Sequence, residues 1–209
     1  MSDADDKQQL VISYLTLRRA IGLLGILFPV LLAGLCWGFG DCNGLEPAIS
    51  DYYHTDVRDL FVGILFTIGW FLFSYKGYEK ADDIAGDLAC AFALGVALFP
   101  TNSEVALVRT LHFVCALGLF LVLAYFSLFL FRKSCKTPTP QKLMRNKVYL
   151  VCGILMLLCI ALIGAYFAWG EGSSLDEIQP VFWLESLALW AFGFSWITKG
   201  EMLWPDRKP

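Results

Sequence analysis

The run VALVRTLHFVCALGLFLVLAYFSLFLF, residues 105–131, contains no carboxylate, and its only basic side chains are Arg109 and His112. A hydrocarbon layer about 30 Å thick is crossed by about 20 apolar residues of α-helix, so this run reads as a membrane span. Five further apolar runs lie on either side of it, at 20–39, 60–75, 84–100, 148–169 and 181–197. The second, third and sixth reach full span length only by extending into flanking polar turns. Composition agrees: 57% of residues are hydrophobic and 17% charged, where soluble proteins average about a quarter charged. Mean hydropathy is +0.61. The expected fold is all-α: a polytopic membrane protein, one transmembrane domain over residues 1–209, built as a six-helix bundle with short loops.

Lys and Arg set the expected orientation, because cytoplasmic flanks retain positive charge. Lys7, Arg18 and Arg19 precede the first run, Lys76 and Lys80 follow the second, and Lys199, Arg207 and Lys208 follow the sixth. Six more lie between the fourth and fifth, from Arg132 to Lys147. Only Arg58 and Arg109 of the 16 fall on the opposite side. Both termini are therefore expected in the cytoplasm. The net charge of −3 averages two faces and gives no sign of a nucleic-acid partner; the basic fourth connection reads as a topology signal or a contact with anionic lipid headgroups. The first run is longer than the apolar core of a signal peptide and lacks a clean small-x-small site, so it is expected to remain as a span.

None of the seven cysteines has C-x-x-C spacing, which excludes zinc-finger and thioredoxin-type readings. Most fall inside spans; Cys36 and Cys42 approach the outer face, where a bridge is possible. Ala85, Ala89, Ala93 and Ala97 repeat every fourth residue along the third span, a stripe that lets helices approach closely and makes this helix the expected centre of the bundle. Pro138 and Pro140 stop the fourth helix from continuing. Trp37, Tyr52 and Tyr53 outside, and Tyr75, Tyr78, Trp196 and Trp204 inside, read as interfacial aromatic belts.

The stretch AISDYYHTDVRDLF, residues 48–61, is polar company for such a chain. It lies at the outer mouth of the second span. Glu46-Pro47 suggests a helix start, since proline suits the first helical position. Ser50 and His54 would then share a face, Asp51 would lie one turn from His54, and Arg58 one turn beyond, with Asp59 at the membrane boundary. His112 and Glu185 enter at the same depth from the fourth and sixth spans, and ionisable groups within spans are costly enough to be functional candidates. His54, His112, Asp51 and Glu185 together offer N and O ligands for a metal such as zinc, or a general acid/base pair. Ser50 and Arg58 would hold a developing oxyanion, with Asp59 as a further carboxylate. The structural alternatives are a surface ion pair at Asp56 and Arg58, a capping His54, and an interhelical bond between His112 and Glu185. Asp87, near the inner end of the third span, reads either as an ion-pair partner of Lys76 or Lys199 or as part of an ion path to Glu185.

Ile49-Ser50-Asp51 at the end of the first outer loop, with six spans and a cytoplasmic N-terminus, resembles the Frag1/DRAM/Sfk1 membrane proteins. The longer strings from Ile49 to Thr55 and from Arg58 to Gly63, with Trp196-Ile-Thr-Lys-Gly200, resemble bacterial six-helix relatives of that group. The resemblance implies a bacterial inner-membrane location and a role in remodelling or distributing membrane lipids. Ser50-x-x-x-His54 is similar, more weakly, to the alkaline ceramidases and adiponectin receptors. No histidine follows His112, so their three-histidine zinc site does not carry over and carboxylates would have to replace imidazoles. The expected function is handling of a lipid or lipid-linked molecule in an outer polar pocket, with metal-assisted hydrolysis or acyl transfer as its chemistry. A small ion-coupled transporter is the alternative, and a stability factor docking through the alanine stripe is a third.

Overall fold

A computed structural model describes residues 3–77, 79–134 and 136–205, with side chains from residue 14 onward; Tyr78 and Cys135 lie outside the described residues. Six α-helices follow one another: α1 (Asp3–Phe39), α2 (Arg58–Ser74), α3 (Lys80–Leu98), α4 (Ala106–Tyr125), α5 (Pro140–Trp169) and α6 (Pro180–Lys199). No strand occurs among the described residues. Within α1, α4 with its extension, α5 and α6 lie four segments long and apolar enough to cross a membrane. The helix α2 has 17 residues, and α3 carries Asp82, Asp83 and Asp87, which sets both apart.

Each helix packs on its chain neighbours, and α6 closes the ring by packing on α1 as well as α5. Successive helices therefore run in opposite directions. At one end Arg18, Tyr75, Asp82, Lys133, Tyr149 and Lys199 meet; at the other, the loops around Ser50 and Thr101 meet the start of α6. The polar lead of α1 continues the helix inward to Asp3 instead of forming a separate segment.

Glycine sets the α1–α6 distance. A Cβ on Gly22 would lie 2.6 Å from the Gly193 carbonyl, and one on Gly193 would lie 2.5 Å from the Gly22 carbonyl, so the two backbones touch directly. Without a hydrophobic driving force in lipid, such close packing is a main source of helix association. The alanine stripe of α3 works similarly: all four residues are buried, and Gly69 of α2 approaches Ala93. The stripe is internal, not a docking face. The helix most enclosed is nevertheless α6, with twelve of its twenty residues buried against nine of nineteen in α3. Two glycines reach a closer approach than alanines, which places α6 rather than α3 at the centre.

Of the inner aromatic residues, Tyr75 and Trp196 belong to a core instead of a belt. Trp196 is fully buried, with the rings of Phe131, Tyr75 and Phe126 centred 5.0, 5.1 and 5.5 Å away. A single π-helical turn, Phe126–Leu130, extends α4; its Phe131 N–H donates to the Phe126 carbonyl at 2.8 Å. That wider turn brings two phenylalanines five residues apart onto the same indole. Trp37 and Trp204 remain exposed, as a belt requires.

The glycine crossing makes a direct prediction. Gly193→Leu is expected to cost about 1–3 kcal/mol through overpacking, read as a lower unfolding midpoint of the detergent-purified protein, whereas Gly34→Leu, with open space at its Cβ, leaves the midpoint unchanged.

Candidate functional site

The loop between α1 and α2 folds inward over the start of α6. Its first part is held by a disulfide between Cys36 and Cys42, whose Cα atoms lie 5.4 Å apart. Its second part is sewn to α6 by two backbone groups. The Phe182 N–H, one of the first-turn amides that a helix leaves without an internal partner, donates to the Pro47 carbonyl at 3.0 Å. The buried Ile49 N–H donates to Glu185 Oε2 at 2.7 Å.

Asp51 joins a third element. Its Oδ2 accepts from the Ala48 N–H at 3.1 Å, which caps the start of a 3₁₀ turn spanning Ile49–His54. Its Oδ1 accepts from the Thr101 hydroxyl at 3.2 Å, in the connection between α3 and α4. Close by, His112 of α4 places Nδ1 2.6 Å from the Phe99 carbonyl at the end of α3. A carbonyl can only accept, so in the neutral ring Nδ1 carries the proton and Nε2 keeps its lone pair.

Two spaces result. A groove of about 690 Å³ opens among Asp51, His54, Thr101, Phe113 and Phe167, with Ser50 in its wall. Beyond Ser50 lies a cavity of about 40 Å³, whose polar lining is Ser50, His112 and Glu185 among apolar side chains including Phe28, Phe61 and Leu189. That is room for about one water molecule. Ser50, 9% exposed, belongs to both spaces. Glu46, on the groove's loop side, has its carboxyl pushed up from the usual range by burial and then by the charge of Asp51.

Sequence reasoning brought Ser50, Asp51, His54, His112 and Glu185 to one depth, and the structure places all five on these two spaces. The relation between Ser50 and His54 is different from that expected. The chain from Ile49 to His54 is a 3₁₀ turn, not the first turn of α2, and Thr55 closes it by donating its hydroxyl to the Tyr52 carbonyl at 2.9 Å. With about three residues per turn, Asp51 aligns with His54, while Ser50 turns into the bundle and His54 stays exposed to the groove. Arg58 turns away altogether, donating to Tyr53 Oη at 2.7 Å with its guanidinium 4.4 Å from that ring. Asp59 is exposed in the first turn of α2, at neither space. Among the described residues no three His, Cys, Asp or Glu side chains gather into a metal-binding group; His54 faces the groove and His112 the cavity.

Asp87 is exposed on α3. The buried acid of that helix is Asp82, which pairs with Lys133 at 3.3 Å. Tyr52, expected in a belt, is fully buried against Phe182, 6.2 Å between ring centres. Thr101 and the main-chain groups of Ile49 and Phe99 were not legible as site components, although Phe99-Pro100 marks a helix end whose carbonyls need partners.

No known family, curated protein or solved structure matches this chain.

Because Glu185 is the acceptor for the Ile49 amide, Glu185→Ala is expected to leave a buried donor unpaired and speed hydrogen exchange at Ile49 by about tenfold or more, as a loss of about 1–3 kcal/mol implies. Glu185→Gln retains an oxygen acceptor and is expected to show the smaller change. Exchange measured by mass spectrometry on peptides covering residues 45–52 checks this.

Proposed function

We propose that this is an integral membrane protein of six spans, with both termini in the cytoplasm, whose Ser50 end faces outward and handles a lipid or lipid-linked molecule. Three observations support the topology. All six helices share in one closed ring, including the short α2 and the acidic α3. The positive charge concentrates at the Arg18 end. The disulfide lies at the opposite end, and such bridges persist in oxidising compartments outside the cytoplasm. A bacterial inner membrane, with the periplasm beyond it, is the setting that the Frag1/DRAM/Sfk1 resemblance implies.

The observation that carries the functional reading is Ser50, standing between an open groove and a small, mainly apolar cavity that holds His112 and Glu185. The groove mixes exposed Phe113 and Phe167, from helices that border lipid, with the carboxylates of Asp51, Glu171 and Asp176. An amphipathic molecule fits this lining, its chains along the phenylalanines and a hydroxyl- or amine-bearing head among the acids. The cavity behind supplies acid/base groups. His112 Nε2 takes the proton from the Ser50 hydroxyl, the serine oxygen bonds to an ester or amide carbonyl carbon, and the leaving alcohol or amine departs with that proton from the imidazolium; water, deprotonated by the same imidazole, then adds to the acyl-serine and releases the fatty acid as Ser50 regains its proton. Phe99 holds the ring in the required tautomer, and Glu185 holds the loop that carries Ser50. Arg58 and Asp59 take no part in this arrangement, and a route through zinc finds no gathered ligand set among the described residues.

Two experiments test the proposal. Maleimide reagents that do not cross membranes are expected to label Cys42 in reduced intact cells, and a cysteine placed by Lys133→Cys only after the membrane is opened. The reverse pattern would invert the orientation. For the chemistry, the purified protein is mixed with a lipid extract containing ester- and amide-linked acyl chains, and released fatty acid is followed by mass spectrometry. Turnover that falls about 100-fold or more in both Ser50→Ala and His112→Ala is expected. Lipid retained through purification without turnover would leave binding and remove the chemistry; neither lipid nor turnover would overturn both.

A further inference from the structure

The groove that opens at Ser50 carries one sign of charge. Glu46, Asp51, Glu171 and Asp176 line it, and no Lys or Arg does. The two basic side chains at this end of the ring are outside the lining: Arg58 donates to Tyr53 Oη, and Arg109 is exposed at the start of α4. What the carboxylates receive comes from neutral donors. Asp51 accepts from the Ala48 N–H and the Thr101 hydroxyl, and Asp176 from the Tyr166 hydroxyl at 2.6 Å and the Gly172 N–H at 3.0 Å. The exposed Glu171 carboxylate has neither a hydrogen bond nor an ion pair among the described residues. A neutral donor orients a carboxylate and leaves the net charge of the lining negative. Glu46 registers that charge, its carboxyl being pushed up by burial and then by Asp51.

Aromatic surface and a helix end add to the same preference. Tyr166, Phe167 and Phe113 line the groove. The Tyr166 and Phe167 rings are centred 5.7 Å apart and inclined at 56°, and the Phe167 and Phe113 rings 6.3 Å apart at 73°. The wall therefore presents ring surface in more than one direction. The face of an aromatic ring attracts an ammonium group, which is how quaternary amines are commonly held. Tyr166 lies in the last turn of α5, where the unpaired carbonyls form the negative end of the helix dipole and favour a cation. Ser50 supplies an observation of another kind: it is 9% exposed, lines the groove, and its hydroxyl has no hydrogen-bond partner among the described residues. A buried polar group without a partner is costly, and an incoming molecule would satisfy it.

We propose that the groove selects an amphiphile with a positively charged amine or quaternary ammonium head, the head lying among Tyr166, Glu171 and Asp176 and the acyl linkage at Ser50. This rests on the reading of the groove as a lipid site and narrows its head group to a cation. An anionic head would meet four carboxylates and no Lys or Arg, so like-charge repulsion selects against it. A neutral glyceride would gain the apolar contacts alone. A free amine shares the recognised chemistry but leaves Phe113 and Phe167 without the chains that cover them.

The test uses the full-length protein in a neutral detergent and reads the Kd from saturable shifts of the unfolding midpoint. Three probes are compared: dioctanoyl trimethylammonium-propane, a cationic diester; dioctanoylglycerol, a neutral diester; and tetramethylammonium chloride, the head alone. The cationic diester is expected to bind about tenfold or more tighter than dioctanoylglycerol. Glu171→Gln and Tyr166→Leu are each expected to weaken it about fivefold or more, whereas Tyr166→Phe, which keeps the ring, weakens it less. Glu104→Gln, which removes an exposed carboxylate of the α3–α4 connection outside the lining, is expected to leave the Kd unchanged. Should Tyr166→Leu fail to fold, Glu171→Gln and the comparison of probes on the wild type carry the result. Dioctanoylglycerol bound as tightly as the cationic diester, or Glu104→Gln as damaging as Glu171→Gln, overturns selection of a cationic head and leaves lipid handling standing. Tetramethylammonium bound as tightly as the diester overturns the lipid reading and leaves an ammonium site. No saturable effect of any probe overturns both.

Discussion

The bond from the Ile49 amide to Glu185 makes the outer loop part of the bundle. In water a loop of this length would satisfy its backbone with solvent, but at the mouth of an apolar bundle each buried donor needs a protein partner. Glu185 supplies one, and Pro47 accepts from α6 in return, so loop and helix satisfy each other. With Ile49 fixed, the 3₁₀ turn must start there, and Ser50 has nowhere to point except inward. Asp51 then reaches Thr101 and ties the same turn to the far side of the ring. The site is thus a by-product of backbone accounting at one helix start, and its geometry is as rigid as the bonds that enforce it.

Much of this was legible in the sequence because lipid imposes a simple constraint. Apolar runs of nearly span length became helices, and the small residues of α3 became a packed stripe. Placement of chemistry was legible only to the level of depth. His112 and Glu185 could be assigned to the same layer as Ser50 because helical rise is regular. Which way each residue faces depended on a turn type that the composition of AISDYYHTDVRDLF does not distinguish. Proline at position 47 was consistent with an α-helix start; the chain instead spends that residue on a carbonyl for Phe182 and tightens into three residues per turn. The same limit explains Asp87 and Asp82, five residues apart on one helix: periodicity cannot tell which faces Lys133, because the partner comes from a connection whose path the sequence does not fix. Tyr75 and Trp196 were misplaced for a related reason. An aromatic near a span end suits an interface, but the π turn after α4 delivers Phe126 and Phe131 to cover these rings first.

The two ends of the ring carry opposite electrostatic character. The groove at the Ser50 end gathers carboxylates, with His54 at its rim, while the recess at the Arg18 end gathers Arg and Lys. Part of this is the ordinary charge bias of membrane proteins, but a bias in loops does not require side chains to converge on a cavity. At both ends they do so by the same means: a polar side chain is clamped by a backbone group from another element, Glu185 by Ile49 and His112 by Phe99 at the groove end, Lys142 by Phe131 and Arg145 by Trp204 at the recess end. Neighbouring helices therefore position the polar groups and are themselves held by them.

What separates the two ends bears on the transporter alternative. Along α6, between Glu185 and Lys199, the buried side chains are mainly apolar; Trp196 among them packs against Phe126, Phe131 and Phe192. Ser127 and Ser195 meet across this layer, hydroxyl to hydroxyl at 2.8 Å, and satisfy each other. An ion passing from the groove to the recess would have to part that aromatic layer and the Gly22–Gly193 backbone contact beside it, both parts of the packing that closes the ring. Asp87, the acid invoked for such a path, is on an exposed face of α3. The polar groups at the two ends of the ring are for that reason separated by a packed aromatic core, with no polar path between them among the described residues.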